Sequence, residues 1–424
     1  MILRWGRLFL VGMFLFGICC LSTLQTFARP GDPTAFCRET ESHPGEIQGV
    51  AKTKPVVIGS VTKLFTTALA VQSLGADHRF KTRFQLSKTG PHSISMHIHG
   101  DGDPSMSAAS LNQVFLELAR LGIQEISSFS YDSHFFFLRF PNYWAHKAHP
   151  TSAQMGQELQ AYLKSLAEGL SVTSMVDSSE YQLRFQIQRN LGRTLASPDV
   201  SPVPRIDSNS ELILESVPLV QILQEMNRNS NNATSQKLFE SIGGVPQMNA
   251  FLSQKLGYLV RDIYLLNGSG MPEWVKGTKV YNKASCQSVV ALLRELDQDL
   301  KKQGVPGVES ILSVAGAEVD GAPESIVSRV YGSFETEQLL AAKTGTVDLA
   351  VSLAGSLSTS SAGRIFFGLV YHLNSRKASK AWARNLIRQQ INKILVQFGR
   401  GTEFGVHRPR FRHIERLVWI GGFS

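Results

Sequence analysis

The chain has 424 residues, 43 Lys plus Arg against 34 Asp plus Glu, 43% hydrophobic and 18% charged residues. It is too apolar for a disordered chain, and four cysteines are too few for a disulfide scaffold. The length accommodates two to three domains, or one large domain with an insertion. A net charge of +9 suits an anionic polymer or surface. No Lys/Arg block, zinc-finger spacing or basic-aromatic repeat points to nucleic acid.

Residues 1–28 read as a secretory signal peptide: Arg4 and Arg7 precede an uncharged apolar run from Leu8 to Leu21, and Thr26-Phe27-Ala28 offers a small-residue cleavage point. An uncleaved N-terminal membrane anchor is the alternative, since no charge intervenes before Arg29. Export follows from both, to the periplasm or beyond. Cleavage leaves Cys37 and Cys286, and a bridge between them and a pair of buried thiols both remain open.

Val56-Val57-Ile58 reads as a short strand, and Gly59-Ser60-Val61-Thr62-Lys63 leads into a helix over Leu64 to Leu74 closed by Gly75. Arg79 to Leu86 and His92 to Ile98 alternate like paired strands around a Lys88-Thr89-Gly90-Pro91 turn. Helices are expected at 107–122 and Met155–Leu170, with strands at 125–137 and Tyr181–Gln188. Leu219–Met226 and Thr234–Ile242 read as helices around a polar break at Asn229–Asn232, and Ser285–Lys302 as a long amphipathic helix. Leu349–Leu357 and Arg364–His372 form an apolar hairpin, backed by a helix from about Lys377 to Phe398. The expected plan is a catalytic domain over 29–84 and 206–399, an inserted accessory domain over 85–205, and a basic tail over 400–424. That tail docks as a terminal strand or stays mobile; contact with a membrane or wall surface is the other reading.

Ser60 precedes Lys63 by three residues at a helix start, which places both side chains on one face. A helix N-terminus and a second nearby cation both lower the lysine pKa, and a neutral amine can take the hydroxyl proton. Two further elements occur twice each. Ser110-Leu111-Asn112 lies inside a helical pattern, whereas Ser230-Asn231-Asn232 lies in the polar break. Lys88-Thr89-Gly90 reads as a turn, whereas Lys343-Thr344-Gly345-Thr346 leads into an apolar strand. A Ser-x-x-Lys pair, a Ser-x-Asn element and a Lys-Thr-Gly triplet in this order mark penicillin-binding proteins and serine β-lactamases.

On these motifs the chain resembles the low-molecular-mass class C penicillin-binding proteins, the D-alanyl-D-alanine carboxypeptidase/endopeptidases. Leu74 to Arg83, Gly100-Asp101-Gly102-Asp103-Pro104-Ser105, Ser216-Val217-Pro218-Leu219 and Asn267-Gly268-Ser269-Gly270 extend the resemblance over roughly 45–135 and 210–395. It implies an α/β (α+β) fold: a β-lactamase/transpeptidase-like antiparallel sheet flanked by helices, with an inserted smaller domain. It implies a catalytic set of Ser60 as nucleophile, Lys63 as base, Ser230 as proton carrier, Asn232 and Lys343. Thr344, Gly345 and Thr346 would bind substrate, and the N–H groups of Ser60 and Thr346 would receive the oxyanion. Peptidoglycan stem peptides and cross-links are the implied substrates, and β-lactams the covalent inhibitors. No cofactor or metal is implied.

Asn231 and Asn267 stand where the family often has Asp, and the run Ala315 to Ala322 is longer than the family's. These departures remove negative charge near the cleft and put rate and substrate preference at issue. They motivate one rival, a catalytically weak wall-binding protein; a β-lactamase is the other. His97 and His99 share a strand face near Asp101 and Asp103, read as a polar face rather than a metal site. Phe135-Phe136-Phe137 with Phe140, Tyr143 and Trp144 is read as core of the insertion.

Overall fold

The computed structural model describes residues 32–138, 152–166, 185–186, 210–317, 325–373, 379–405 and 415–420. Every element named below lies in the unit Thr34–Ser424. Residues 1–28, expected to be a signal peptide, lie outside the described residues, and among those described no helix is long and apolar enough to cross a membrane.

Strands β1 (Ala35–Thr40), β2 (Gln48–Val50) and β3 (Val56–Val57) lead to a 3₁₀ turn over Gly59–Thr62, which runs directly into α1 (Lys63–Leu74). Every residue of α1 from Lys63 to Val71 is buried, so this helix has no solvent face at all in its first two turns. Such a helix belongs in the centre of a core. A first excursion follows: β4 (Lys81–Gly90), β5 (Ser93–His99), α2 (Ala108–Arg120), β6 (Glu125–Tyr131), α3 (Ser152–Leu166), β7 (Phe185–Gln186) and β8 (Ser210–Glu215). Then come α4 (Leu219–Asn229), α5 (Asn232–Ser241), α6 (Gly244–Leu256), β9 (Ile263–Tyr264), the hairpin β10 (Glu273–Val275) and β11 (Thr278–Val280), and β12 (Lys283–Ala284). The chain finishes with α7 (Cys286–Lys302), β13 (Ser313–Val314), α8 (Ile326–Tyr331), β14 (Leu340–Thr346), β15 (Ala350–Thr359), β16 (Gly363–His372), α9 (Lys380–Phe398) and β17 (Arg416–Ile420).

The central sheet runs β13-β14-β15-β16-β1-β2, all antiparallel. Helices cover both of its faces. Ala341, Ala354, Phe366 and Val370 pack with α1 and α7 in one core, while Leu340, Leu353, Leu357 and Phe367 face α8 and α9 in another. Burial on both faces explains why β15 and β16 read as continuous apolar runs rather than as alternating strands. The expected hairpin-on-helix layer is present, and β1, which the periodicity did not single out, completes it by pairing with β16 along its full length. A Cys37–Cys286 disulfide ties β1 to the start of α7, resolving the state of the two cysteines as a bridge.

A second sheet, β17-β8-β4-β5-β6-β7, has its own core with α2 and α3. Phe135, Phe136 and Phe137 sit in that core; Phe140, Tyr143 and Trp144 lie outside the described residues. The boundary expected at 84/85 falls inside β4, which pairs with β8 from Lys81↔Glu215 to Leu86↔Ser210. Cutting there would orphan the ladder hydrogen bonds of both strands, so this layer spans Lys81 to Glu215. The tail also belongs to it in part. β17 pairs with β8 from Arg416↔Glu215 to Ile420↔Glu211, and Trp419 Nε1 donates to Glu117 Oε1 at 3.1 Å. The second layer meets the first at α5: Ala233 lies in its core, and Thr234 Oγ1 donates to Pro104 O at 3.1 Å.

Candidate active site

Ser60 sits on the 3₁₀ turn and Lys63 is the first residue of α1, so the three-residue spacing becomes one continuous face. Gly59, at φ +51°, makes the bend into the turn, a conformation that glycine adopts without strain. Ser352 Oγ of β15 donates to Ile58 O at 2.7 Å and pins the turn to the central sheet.

The ε-amine of Lys63 is fully buried, 3.1 Å from Ser60 Oγ, 2.7 Å from Asn232 Oδ1 and 2.6 Å from Ser269 O. The last two are carbonyl oxygens, which only accept. In its neutral form the amine has two N–H bonds for them and one lone pair left over, which can accept from the Ser60 hydroxyl 3.1 Å away. Burial first, and the nearby Lys343 charge second, hold Lys63 well below the ordinary lysine pKa. Desolvation thus favours the form that can accept a proton.

Ser230 follows α4 in the left-handed conformation, φ 53° and ψ 40°, and Asn232 opens α5. This reversal brings both side chains to the same pair of lysines. Lys343 Nζ donates to Ser230 Oγ at 3.0 Å and to Thr344 O at 3.0 Å; Lys343 is itself almost fully buried, and burial pushes its pKa down to about 7. A left-handed serine costs on the order of 1 kcal/mol, a strain found where a site demands a particular orientation.

β14 carries Lys343 to Thr346 and is made of small residues where it meets the nucleophile turn. A Cβ at Gly345 would lie 3.2 Å from Ser60 N, and one at Gly59 would lie 3.3 Å from Thr346 N. The backbone of the Ser60 turn and that of β14 at Gly345–Thr346 are therefore in close contact. All eight residues expected from the sequence converge here. The alternatives do not: Ser110 is part of a capping box with Ser107 at the start of α2, Asn112 Oδ1 accepts from Tyr162 OH, and Lys88-Thr89-Gly90 ends β4. His97 bonds Ser130 Oγ at 2.7 Å, and His99 lies 3.5 Å from Asp132.

Both asparagine departures have local partners. Asn231 Oδ1 accepts from Thr234 N at 3.1 Å and caps α5, a task that Asn and Asp perform alike. Asn267 Oδ1 accepts from Gly270 N at 2.8 Å and Ser269 Oγ at 3.2 Å, while its Nδ2 donates to Met271 O at 2.9 Å and Glu273 Oε1 at 2.8 Å. An Asp could not donate to Glu273, so the amide matches the carboxylate of β10. The lengthened loop keeps Gly316 N bonded to Ser328 Oγ; residues 318–324 lie outside the described ones.

Sequence reasoning missed Asn282, which donates to Thr62 Oγ1 at 3.2 Å and Asn267 O at 2.8 Å and so joins the turn to the Ser269 loop. A lone asparagine between two strands carries no signal of that role. It also missed Thr66 and Ser235, which both donate to Gly268 O.

The family model for D-Ala-D-Ala carboxypeptidase 3 (S13) matches residues 40–145 and 164–394. The chain belongs to the S13 peptidase family. This S13 chain is similar to the predatory endopeptidase Bd3459 of Bdellovibrio bacteriovorus bound to immunity protein Bd3460, at 26% identity and TM-score 0.73 over 92% of this chain and 100% of that one. A penicillin G-acylated form of Bd3459 matches at 26% identity and TM-score 0.69, covering 89% and 96%. Penicillin binding protein 4 of Haemophilus influenzae shares the fold at 16% identity and TM-score 0.56, covering 85% and 96%. No curated protein matches the sequence. The S13 chain is a serine-type D-Ala-D-Ala peptidase, and its mixed α/β architecture is that of the penicillin-binding proteins.

Proposed function

We propose that this chain is an exported DD-peptidase that cleaves D-Ala-D-Ala or D-Ala-diamino acid bonds of peptidoglycan through an acyl-enzyme at Ser60. The buried Lys63 amine, held by Asn232 Oδ1 and Ser269 O and 3.1 Å from Ser60 Oγ, carries the reading. Lys63 Nζ takes the hydroxyl proton while Ser60 Oγ bonds to the carbonyl carbon, and the oxyanion turns toward the N–H groups of Ser60 and Thr346. Ser230, held by Lys343, relays the proton that Lys63 took to the departing amine as the C–N bond breaks, which leaves Lys63 neutral and Ser230 a hydroxyl, and Asn232 holds the substrate amide. Thr344 and Thr346 take the terminal carboxylate. Water then releases the acyl group, and a β-lactam stops at the acyl stage. The structure of acylated Bd3459 supports the inhibitor chemistry, and that protein's description as a peptidoglycan endopeptidase favours cross-links as substrate. The Arg4/Arg7 leader supports export to the periplasm, by cleavage or as an anchor.

Fluorescent penicillin offered to the mature chain should label it covalently, and Ser60→Ala should remove the label entirely. A folded wild-type chain that takes no label sinks the reading and favours wall binding without catalysis.

The two buried lysines predict a bell-shaped acylation profile. The rate rises with pH as Lys63 loses its proton, below the 10.5 of a free lysine, and falls as Lys343 loses its own near 7. Lys343→Arg stays charged and should lose the falling limb. Stability changes with the same sign as for a salt-bridged acid, since both groups have a lowered folded pKa: between about 7 and 10.5 the unfolded chain binds the extra proton, so the desolvation cost of Lys343 is relieved and stability rises with pH. Urea midpoints across that range check the sign.

A further inference from the structure

We propose that the β10–β11 hairpin and the lysines beside it form the binding surface for the amine-side half of a cross-linked stem peptide, the half that departs when Ser60 is acylated. The proposal rests on the DD-peptidase reading above and deepens it by naming the substrate's leaving side.

Both strands of the hairpin are fastened to the cleft. Glu273 of β10 accepts from Asn267 Nδ2, and Asn267 also orders the loop whose Ser269 O holds Lys63. On the other strand Lys279 Nζ lies 2.9 Å from Asp348 Oδ2, and just beyond it Tyr281 OH donates to Asp348 Oδ1 at 2.8 Å. Asp348 is two residues past Thr346, at the turn between β14 and β15. In the proposed reaction Thr344 and Thr346 hold the carboxylate of the residue on the amine side. The hairpin therefore stands past that carboxylate. A free D-Ala leaving group ends there; only a longer leaving half continues toward Asp348 and the hairpin.

The surface has the chemistry for such a chain. Trp274 is 69% exposed, with Lys279 Nζ 5.6 Å from its ring centroid. A large aromatic left in water on a rigid ribbon covers no core and offers a flat contact for an extended ligand. Asp348 is already matched by Lys279 and Tyr281. Lys54, Lys276 and Lys283 are exposed, and among the described residues no carboxylate pairs with them. Lys54 and Lys283 both act on His372, whose pKa is lowered by burial first and by these two charges second. His372 is the register partner of Ala350, at the same end of the sheet as Asp348. The rim is thus cationic and aromatic. A stem peptide on the amine side of a cross-link carries free carboxylates, which complement that charge.

The test compares a purified cross-linked muropeptide dimer with the uncross-linked pentapeptide monomer on wild type, Trp274→Ala and Lys276→Glu. The readout is the dimer-to-monomer ratio of kcat/KM. The ratio should fall roughly 10-fold or more in each variant, and raising the ionic strength should lower it in the wild type. An unmoved ratio in variants that still cleave both fragments overturns the surface while the DD-peptidase reading stands. Wild type that takes penicillin at Ser60 yet cleaves neither fragment overturns both.

Discussion

Lys63→Ala should slow penicillin acylation by roughly 10²–10⁴-fold, the range for losing a positioned general base, while the chain stays folded. The Lys63 amine lies 3.1 Å from Ser60 Oγ, within reach to take its proton. Its removal leaves Asn232 Oδ1 and Ser269 O without that donor, at about 1–3 kcal/mol per buried group. The relief of a buried, desolvated amine opposes this loss. Lys63→Arg separates the base from the scaffold, because a guanidinium donates hydrogen bonds but does not give up its proton. Stopped-flow acylation and urea denaturation of both variants supply the check. An arginine variant with wild-type acylation would show that the lone pair is not needed.

Gly345→Ala should lower acylation by roughly 10²–10³-fold, the cost of displacing one oxyanion donor, and destabilise the chain by about 1–3 kcal/mol through overpacking. The added Cβ would clash with Ser352 Oγ and Ile58 O and meet Ser60 N at 3.2 Å. Ser352 and Ile58 are the two partners of the bond that pins the nucleophile turn, so the turn itself must move. Adding Ser352→Gly removes one of the clashes but leaves the backbone oxygen of Ile58. The double variant should therefore recover stability in part and acylation little. Acylation rates and denaturation midpoints of the single and double variants decide it; full recovery would place the strain at Ser352 alone.

The apolar hairpin β15–β16 and the helix behind it were legible because burial on both faces writes long apolar runs into the chain. β1 was not, because Ala-Phe-Cys-Arg-Glu-Thr has no clear period; its place is set by pairing with β16, some 330 residues later. The edge of the second layer was misread at 84/85 for the same kind of reason. β4 begins at Lys81 opposite Glu215, the last residue of its antiparallel partner β8, and β8 lies beyond a stretch whose length hides the pairing.

The sequence by itself determined the chemistry that depends on short spacing. Ser60 and Lys63 share a face because three residues make about one helical turn, and the choice of Ser230 over Ser110 and Lys343 over Lys88 follows from what flanks each. Only the tertiary structure decided that Lys63 meets Asn232 across 169 residues and Lys343 meets Ser230 across 113. It also decided that Asn267 meets Glu273 and that Lys279 of the β10–β11 hairpin meets Asp348. The lysine pKa values depend on the same closure: a sequence states that an amine is present, and the packing around it decides whether it keeps its proton.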